Sequence, residues 1–476
     1  MLHIARTTAI SATALVTLGL FAAPAQAATT GTASVSGTKV VYKAAKGKQN
    51  KVVVTRSGNT ITVDDRVAVK AGKGCKKVAG DKTRVRCTTP KTPTRVRVYT
   101  YDRNDSIVNK SGITISAYGG SANDSITGGP RADYLEGGTG KDKIWGLGGN
   151  DGIDGLTGND WISGGDGNDG IDSGDGHDVA YGNNGNDQVS GGYGNDRLNG
   201  GAGDDDLGWS DNDAEGADAD ILSGGSGSDS VTYANWDHPI RADADGVADD
   251  GKSGEKDNIK PDVERIIGGP KNDRLYGTSR ADSLQGGFGN DTIYGYGGND
   301  ELGGGAGTDF LDGGSGNDRI EGDDPTYYAA SADVIRGGSG RDLVDYGFYS
   351  KPITVDLDGA ARDDGQAGEK DSVGADVEDI IGGAGNDRLT GNAAANEIIG
   401  YEGNDVIRGG AGNDVLDGLA GRDTLYGEAG DDDLQGWSWL GDSTPDRLDG
   451  GANGTAAGDL CRPETIDTAI SCERLL

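Results

Sequence analysis

GGYGNDRLNGGAGDDDL, residues 191–207, sets glycine pairs nine residues apart and follows each with an aspartate and then a leucine. Extended in both directions, the aspartate recurs every nine residues at Asp124, Asp133, Asp142, Asp151, Asp160, Asp169, Asp178, Asp187, Asp196 and Asp205. Two places after each stands an apolar side chain: Ile126, Leu135, Ile144, Ile153, Ile162, Ile171, Ala180, Val189, Leu198 and Leu207. A phase held over ten units excludes chance, and a disordered acidic tract has no need of a phased apolar residue.

Each unit divides into two parts. Six residues rich in Gly, Asn and Asp favour a turn that visits positive φ, and three residues around the aliphatic favour a short strand with its middle side chain inward. Two half-turns make one coil, so alternate units stack at the inter-strand spacing of about 4.8 Å. Asp142 is then expected above Asp124 on one edge, and Asp151 above Asp133 on the other. The reading is an all-β chain, a parallel β-roll (β-solenoid) of nonapeptide repeats.

Carboxylates crowded this closely repel one another unless a cation lies between them. Carboxylate and turn-carbonyl oxygens suit a hard ion of six to eight ligands, which is calcium more than magnesium or zinc. The units resemble the hemolysin-type, or RTX, nonapeptide G-G-x-G-x-D-x-U-x, with U a large apolar residue, a motif of calcium-binding parallel β-rolls. The expected ligands are the ten aspartates from Asp124 to Asp205, then Asp229, Asp273, Asp282, Asp291, Asp300, Asp309, Asp318, Asp342, Asp387, Asp405, Asp414, Asp423 and Asp432. Further repeat units appear at Asp220, Asp333 and Asp446, after irregular inserts, and at Asn396, where an asparagine stands in the aspartate's place.

Asp205, Asp318 and Asp432 occupy matching places, 113 and then 114 residues apart, so the chain grew by duplicating blocks. The blocks are expected at 119–267, 268–381 and 382–449. The first two end in long inserts, PIRADADGVADDGKSGEKDNIKPDVERIIGG at 239–269 and PITVDLDGAARDDGQAGEKDSVGADVEDIIGG at 352–383. Asp249, Asp250, Glu255 and Asp257, with Asp363, Asp364, Glu369 and Asp371, are read there as extra calcium ligands or as solvated loop charges. Trp209, Tyr327, Tyr328, Trp437 and Trp439 in shorter inserts are read as packing onto the solenoid flank, with contact to sugar or cell wall as the alternative.

Composition sets the context. The chain of 476 residues has 88 glycines and 33% hydrophobic residues, with 78 acidic residues against 44 basic ones, a net charge of −34 that would favour disorder unless neutralised. Residues 28–100 hold 17 Lys/Arg and 3 Asp/Glu, net +14, while 101–476 hold 26 and 75, net −49. The two regions therefore have different electrostatic roles. Residues 1–27, with Arg6, an apolar run from Ile10 to Ala22 and a small-residue site at Ala27, read as a cleavable signal for secretion. No other stretch is apolar enough to span a membrane as a helix.

Export agrees with the cysteines, which form two local pairs expected as disulfides, Cys75 with Cys87 and Cys461 with Cys472. Residues 28–118 are expected as a small basic β domain, with YDRNDSIV at 101–108 as a degenerate repeat around Asp105. Residues 450–476 are expected as a disulfide-closed cap, which a solenoid needs to protect its last strand.

Catalytic patterns are weak. There is no HExxH, no G-x-S-x-G in a strand-to-helix setting, and the GxGxxG matches lack a βαβ context. Close carboxylate pairs are unavoidable in so acidic a chain, so they do not point to a glycosidase or lyase. The expectation is a secreted, non-enzymatic protein whose partners are multiple calcium ions, with no nucleic acid partner. A cell-surface adhesin holding an anionic cell-wall polymer through its basic domain is the first alternative. A polysaccharide lyase or epimerase comes second.

Overall fold

The computed structural model describes residues 30–208, 218–326, 329–436, 444–453, 458–463 and 467–476. Residues 1–27, read above as a secretion signal, and Trp209, Tyr327, Tyr328, Trp437 and Trp439 lie outside the described residues. Among the described residues there are strands and turns and no helix.

Consecutive repeat strands alternate between two flanks. Tyr134–Thr139 pairs in parallel with Gly152–Thr157, while the intervening Lys143–Gly148 pairs with Trp161–Asp166. Leu135 therefore faces Ile153, and Ile144 faces Ile162, at the 18-residue coil read from the repeat. One flank is a single 22-stranded sheet from Gly31–Ser36 to Arg474–Leu475, and the other is divided into sheets of 12, 7 and 8 strands.

The divisions fall at the long inserts. Ile240–Asp243 pairs with Arg274–Tyr276 and opens the second of the divided sheets, after which the chain returns and Asn258–Ile259 pairs with Ile221–Ser226 to close the first. Ile353–Asp356 and Ser372–Val373 repeat this exchange one block later, pairing with Arg388–Thr390 and Val334–Gly340. Each insert thus visits the later sheet before the earlier one.

The core is thin. Between the flanks lie single aliphatics such as Ile126, Leu135, Ile144, Ile162 and Ile171, all fully buried. One buried aliphatic contributes about 1.5–3 kcal/mol. Fixing the backbone costs roughly 1–2 kcal/mol for every residue of the unit. The apolar ladder is therefore too small by itself to hold nine residues, and the turns must contribute.

Outside, aromatic side chains on neighbouring strands stack on one another. Tyr99 and Tyr118 lie 4.6 Å apart with planes 5° from parallel, and Tyr276 and Tyr294 lie 5.7 Å apart at 2°. These rings spend their faces on each other.

The N-terminal strands extend both flanks. Lys39–Lys43 pairs in parallel with Arg95–Asp102, which pairs with Ile115–Ser121, and Lys51–Ser57 pairs with Ser106–Lys110, which pairs with Ser125–Pro130. Antiparallel strands Thr60–Asp64, Asp81–Thr88 and Cys75–Val78 widen one edge, joined by the Cys75–Cys87 disulfide. At the far end Leu460–Arg462 adds to Asp433–Gln435, and Cys461 is bonded to Cys472.

Candidate metal centres

The repeat aspartates form columns along the two edges. In the first block the amide of Asp124 donates to Oδ1 of Asp142, and the relay continues through Asp160, Asp178, Asp196, Asp220 and Asp257 at 2.6–2.9 Å. The second column runs Asp133, Asp151, Asp169, Asp187, Asp205, Asp229 and ends on Glu264, at 2.7–3.0 Å.

The second block repeats the plan. One column starts at the amide of Ile240 and passes through Asp273, Asp291, Asp309, Asp333 and Asp371; the other runs Asp282, Asp300, Asp318, Asp342 and Glu378. In the third block, Ile353 leads into Asp387, Asp405, Asp423, Asp446 and Asp467, beside Asn396, Asp414, Asp432, Asp459 and Glu473. Asp105 precedes the first block, with its own amide bonded to Oδ1 of Asp124.

The two oxygens of each carboxylate differ. Oδ1 is taken by the amide of the coil below. Oδ2 is buried without a hydrogen-bond donor in Asp124, Asp133, Asp142, Asp151, Asp160, Asp169, Asp178, Asp187, Asp205, Asp229, Asp291, Asp300, Asp309, Asp318, Asp333, Asp342, Asp405, Asp414 and Asp432. Buried acceptors without donors are rare because each costs about 1–3 kcal/mol or more when charged. A column of them fits a cation.

Where a repeat opens with glycine, that residue keeps the surrounding space open. A Cβ on Gly155 would lie 2.8 Å from Oδ2 of Asp160 and against the carbonyl of Ser173 in the next coil; at Gly409 it would lie 2.8 Å from the carbonyl of Gly427 and against Oδ2 of Asp414. The cradle is built of hard oxygens, the donor set that calcium takes.

Burial raises these carboxyls. It pushes Asp124, Asp151, Asp309 and Asp405 up to about 8 and Asp160 to about 7, with the amide bond to Oδ1 pulling the other way and stacked carboxylates adding repulsion. A bound cation reverses that preference.

Three expected ligands stand apart. Oδ2 of Asp273 accepts the Gly269 amide at 2.7 Å, Oδ2 of Asp282 accepts both the amide and the hydroxyl of Thr278, and Oδ2 of Asp387 accepts the Gly383 amide at 3.0 Å. These are the first rungs of the second and third blocks. Asn396 is likewise satisfied, its Oδ1 accepting the Asn392 amide and its Nδ2 donating to the carbonyl of Glu378. Asp196 and Asp423 occupy ordinary rungs of their columns.

The insert acids are mostly neither solvated nor open. Asp250 accepts the amides of Asp243 and Ile259, and Asp364 those of Asp356 and Val373. Glu255 holds the Lys252 amide, while Glu369 and Asp371 accept the hydroxyls of Tyr349 and Tyr346. Asp243, Asp249 and Asp250 bring oxygens within 4.8 Å of one another, as do Asp356, Asp358 and Asp363, but Asp243 and Asp249 are already paired with Arg241.

The closing rungs Asp257, Asp371, Glu264, Glu378, Asp467 and Glu473 escaped the nine-residue count because loops separate them from the rung before. Their signal is the acid followed two places on by Ile259, Val373, Ile266, Ile380, Ala469 and Leu475.

The family model described as "RTX calcium-binding nonapeptide repeat (4 copies)" matches this chain in stretches that together cover residues 118–208, 216–232, 267–324, 329–348 and 374–438. Among curated proteins none matches the chain.

Proposed function

The chain belongs to the RTX calcium-binding nonapeptide repeat family, and from that premise we propose that it is a secreted, non-enzymatic β-roll whose folding is completed by calcium held between its turns. The observation that carries this reading is the column of buried Oδ2 atoms without donors, most of them beside a glycine and a carbonyl of the next coil.

The proposed ligands are the repeat aspartates expected from the sequence that keep a bare Oδ2, together with Asp333. Asp273, Asp282 and Asp387 serve as block-opening rungs held by local amides. Bound calcium supplies charge neutralisation. The chain's residues do the rest: Oδ1 fixes the coil spacing, the first glycine leaves room, and the turn carbonyls face inward. Because such cages are absent from the unfolded chain, binding free energy becomes folding free energy. The non-enzymatic reading is supported by where the carboxylates lie, inside the coils and bonded to backbone amides.

Calcium titrated into the chelated mature protein, followed by far-UV circular dichroism, tests this. A cooperative gain of β signal is expected at about 10⁻⁴ to 10⁻³ M calcium, as for extracellular modules, with no such gain from magnesium. An already folded spectrum in chelator, unchanged by calcium, would refute it.

A second reading, a calcium-stabilised adhesin for anionic cell-wall polymer, is favoured by the N-terminal module. Its five acids are engaged internally: Asp65 accepts the Tyr42 hydroxyl and the Lys51 amide, Asp64 and Asp81 pair with Arg84, and Asp102 and Asp105 accept the amides of Gly47 and Asn50. Most of its cations are left facing outward. Retention of the calcium-loaded full chain on purified cell wall, reversed by salt, checks this reading.

A further inference from the structure

Three of the 17 cations of residues 28–100 border one hollow of the N-terminal module. Four strands lie side by side at its outer edge: Lys51–Ser57, Thr60–Asp64, Asp81–Thr88 and Cys75–Val78. Their register sets Thr55 beside Thr62, Thr62 beside Arg86 and Arg86 beside Lys76, while Thr60 lies beside Thr88 with their hydroxyls 3.0 Å apart. Regular pairing slips at Lys77 and Val78, and the sheet there borders a hollow of about 720 Å³ lined by Lys76, Lys77, Arg86, Thr60, Thr62 and Thr88 among others, none of them acidic. Lys76, Lys77 and Arg86 are exposed, and among the described residues the module's ion pairs are made by Arg84 instead.

We propose that this hollow binds one anionic unit of a hydroxyl-bearing surface polymer, a phosphodiester or a carboxylate. The proposal rests on the adhesin reading and names its site.

The division of labour follows from the side chains. Arg86 offers a planar fork of donors matched to a pair of anionic oxygens, and the lysines act as point charges beside it. The threonine hydroxyls donate to and accept from the uncharged hydroxyls between the charges of such a polymer. The sheet behind the hollow has its strands Cys75–Val78 and Asp81–Thr88 tied by the Cys75–Cys87 disulfide, with Cys87 buried in the core, so the cations stand on a fixed support. A bilayer is a poorer match, because cations and hydroxyls dominate the lining and its apolar members are only Val78 and Ala79, too small to enter lipid. Nucleic acid is a poorer match, since the lining offers no aromatic ring on which a base would stack.

The test uses the calcium-loaded full chain on immobilised poly(glycerol phosphate) and on polygalacturonate, with anionic phospholipid vesicles and single-stranded DNA as competing probes. Two variants remove equal charge: K76Q/K77Q/R86Q empties the hollow, and K39Q/K43Q/K110Q neutralises other exposed positions. The wild type is expected to hold at least one polymer, to be released by salt, and to lose at least tenfold in affinity in the first variant and less than twofold in the second. The polymer retained tells phosphate from carboxylate.

Equal losses in both variants would overturn the site while leaving the adhesin reading intact. Absence of binding to either polymer and to purified wall would overturn both. Tighter binding to vesicles or DNA than to either polymer would overturn the class of ligand. Superimposable calcium-titration spectra for the three proteins show that the variants fold.

Discussion

The amide of Asp142 donates to Oδ1 of Asp160 at 2.7 Å, while Oδ2 of the same carboxylate is buried with no donor. One side chain therefore does two separable jobs. Asp160→Asn keeps an oxygen for the amide and removes the charge. We expect a calcium-folding midpoint raised severalfold with little loss of order in chelator, read by circular dichroism. Asp160→Ala removes both jobs and should also destabilise the calcium-loaded fold by about 1–3 kcal/mol, the cost of leaving a buried amide without its acceptor.

Proton and calcium should act in opposite directions. Asp124, Asp151 and Asp405 are raised to about 8 from an unfolded value of 3.8, first by burial. With the folded value above the unfolded one, the metal-free fold binds protons more tightly, so this stability is full below about pH 4 and is lost as pH rises through 8. Metal-free protein is expected to melt at a higher temperature at pH 5 than at pH 8. With calcium present the order inverts, because the ligands must be deprotonated. A metal-free melting temperature that climbs from pH 5 to pH 8 would contradict the assignment.

Glu378 closes a column by accepting the Asp342 amide at 2.9 Å. Glu378→Ala leaves that amide unsatisfied at the end of the second block and should cost about 1–3 kcal/mol. Glu378→Gln, which retains the acceptor, should cost much less. Denaturant unfolding of the calcium-loaded protein separates the two.

Gly158 has φ +136°, and a Cβ there would strike the carbonyl of Gly140 in the coil below. Gly158→Ala is expected to destabilise by about 2 kcal/mol or more, through positive φ and backbone collision together. At Leu147, in a turn of the other edge, φ is already 78° and the side chain is 51% exposed, so it points to solvent and is tolerated. Leu147→Ala should therefore change the melting temperature little.

The ladder was legible because two periodic signals share one phase: the aspartate places the turn and the aliphatic two residues on places the strand. Reading Asp142 above Asp124 needed nothing more. The allocation of the two carboxylate oxygens was not legible, because spacing locates a side chain and says nothing of which atom meets an amide. Asp387 shows this well. It sits in GGAGND, a regular repeat by sequence, yet its Oδ2 is taken by Gly383 because it opens a block. The inserts hid their rungs for a different reason. Asp257 follows Asp220 by 37 residues, and the loop between them carries other acids that compete for attention. Asp250 and Asp364 read as extra calcium ligands or loop charges until the amides they hold are seen.

In every column the donor lies earlier in the chain than its acceptor, by one full coil. A coil is therefore finished only by the arrival of its successor, and a polypeptide that emerges N-terminus first always presents an open rung to the segment behind it. The N-terminal strands supply the first such template, so assembly has a direction. A chain folding as it emerges would close like a zip from the leading end, its last tooth closed by Glu473 beside the terminal disulfide.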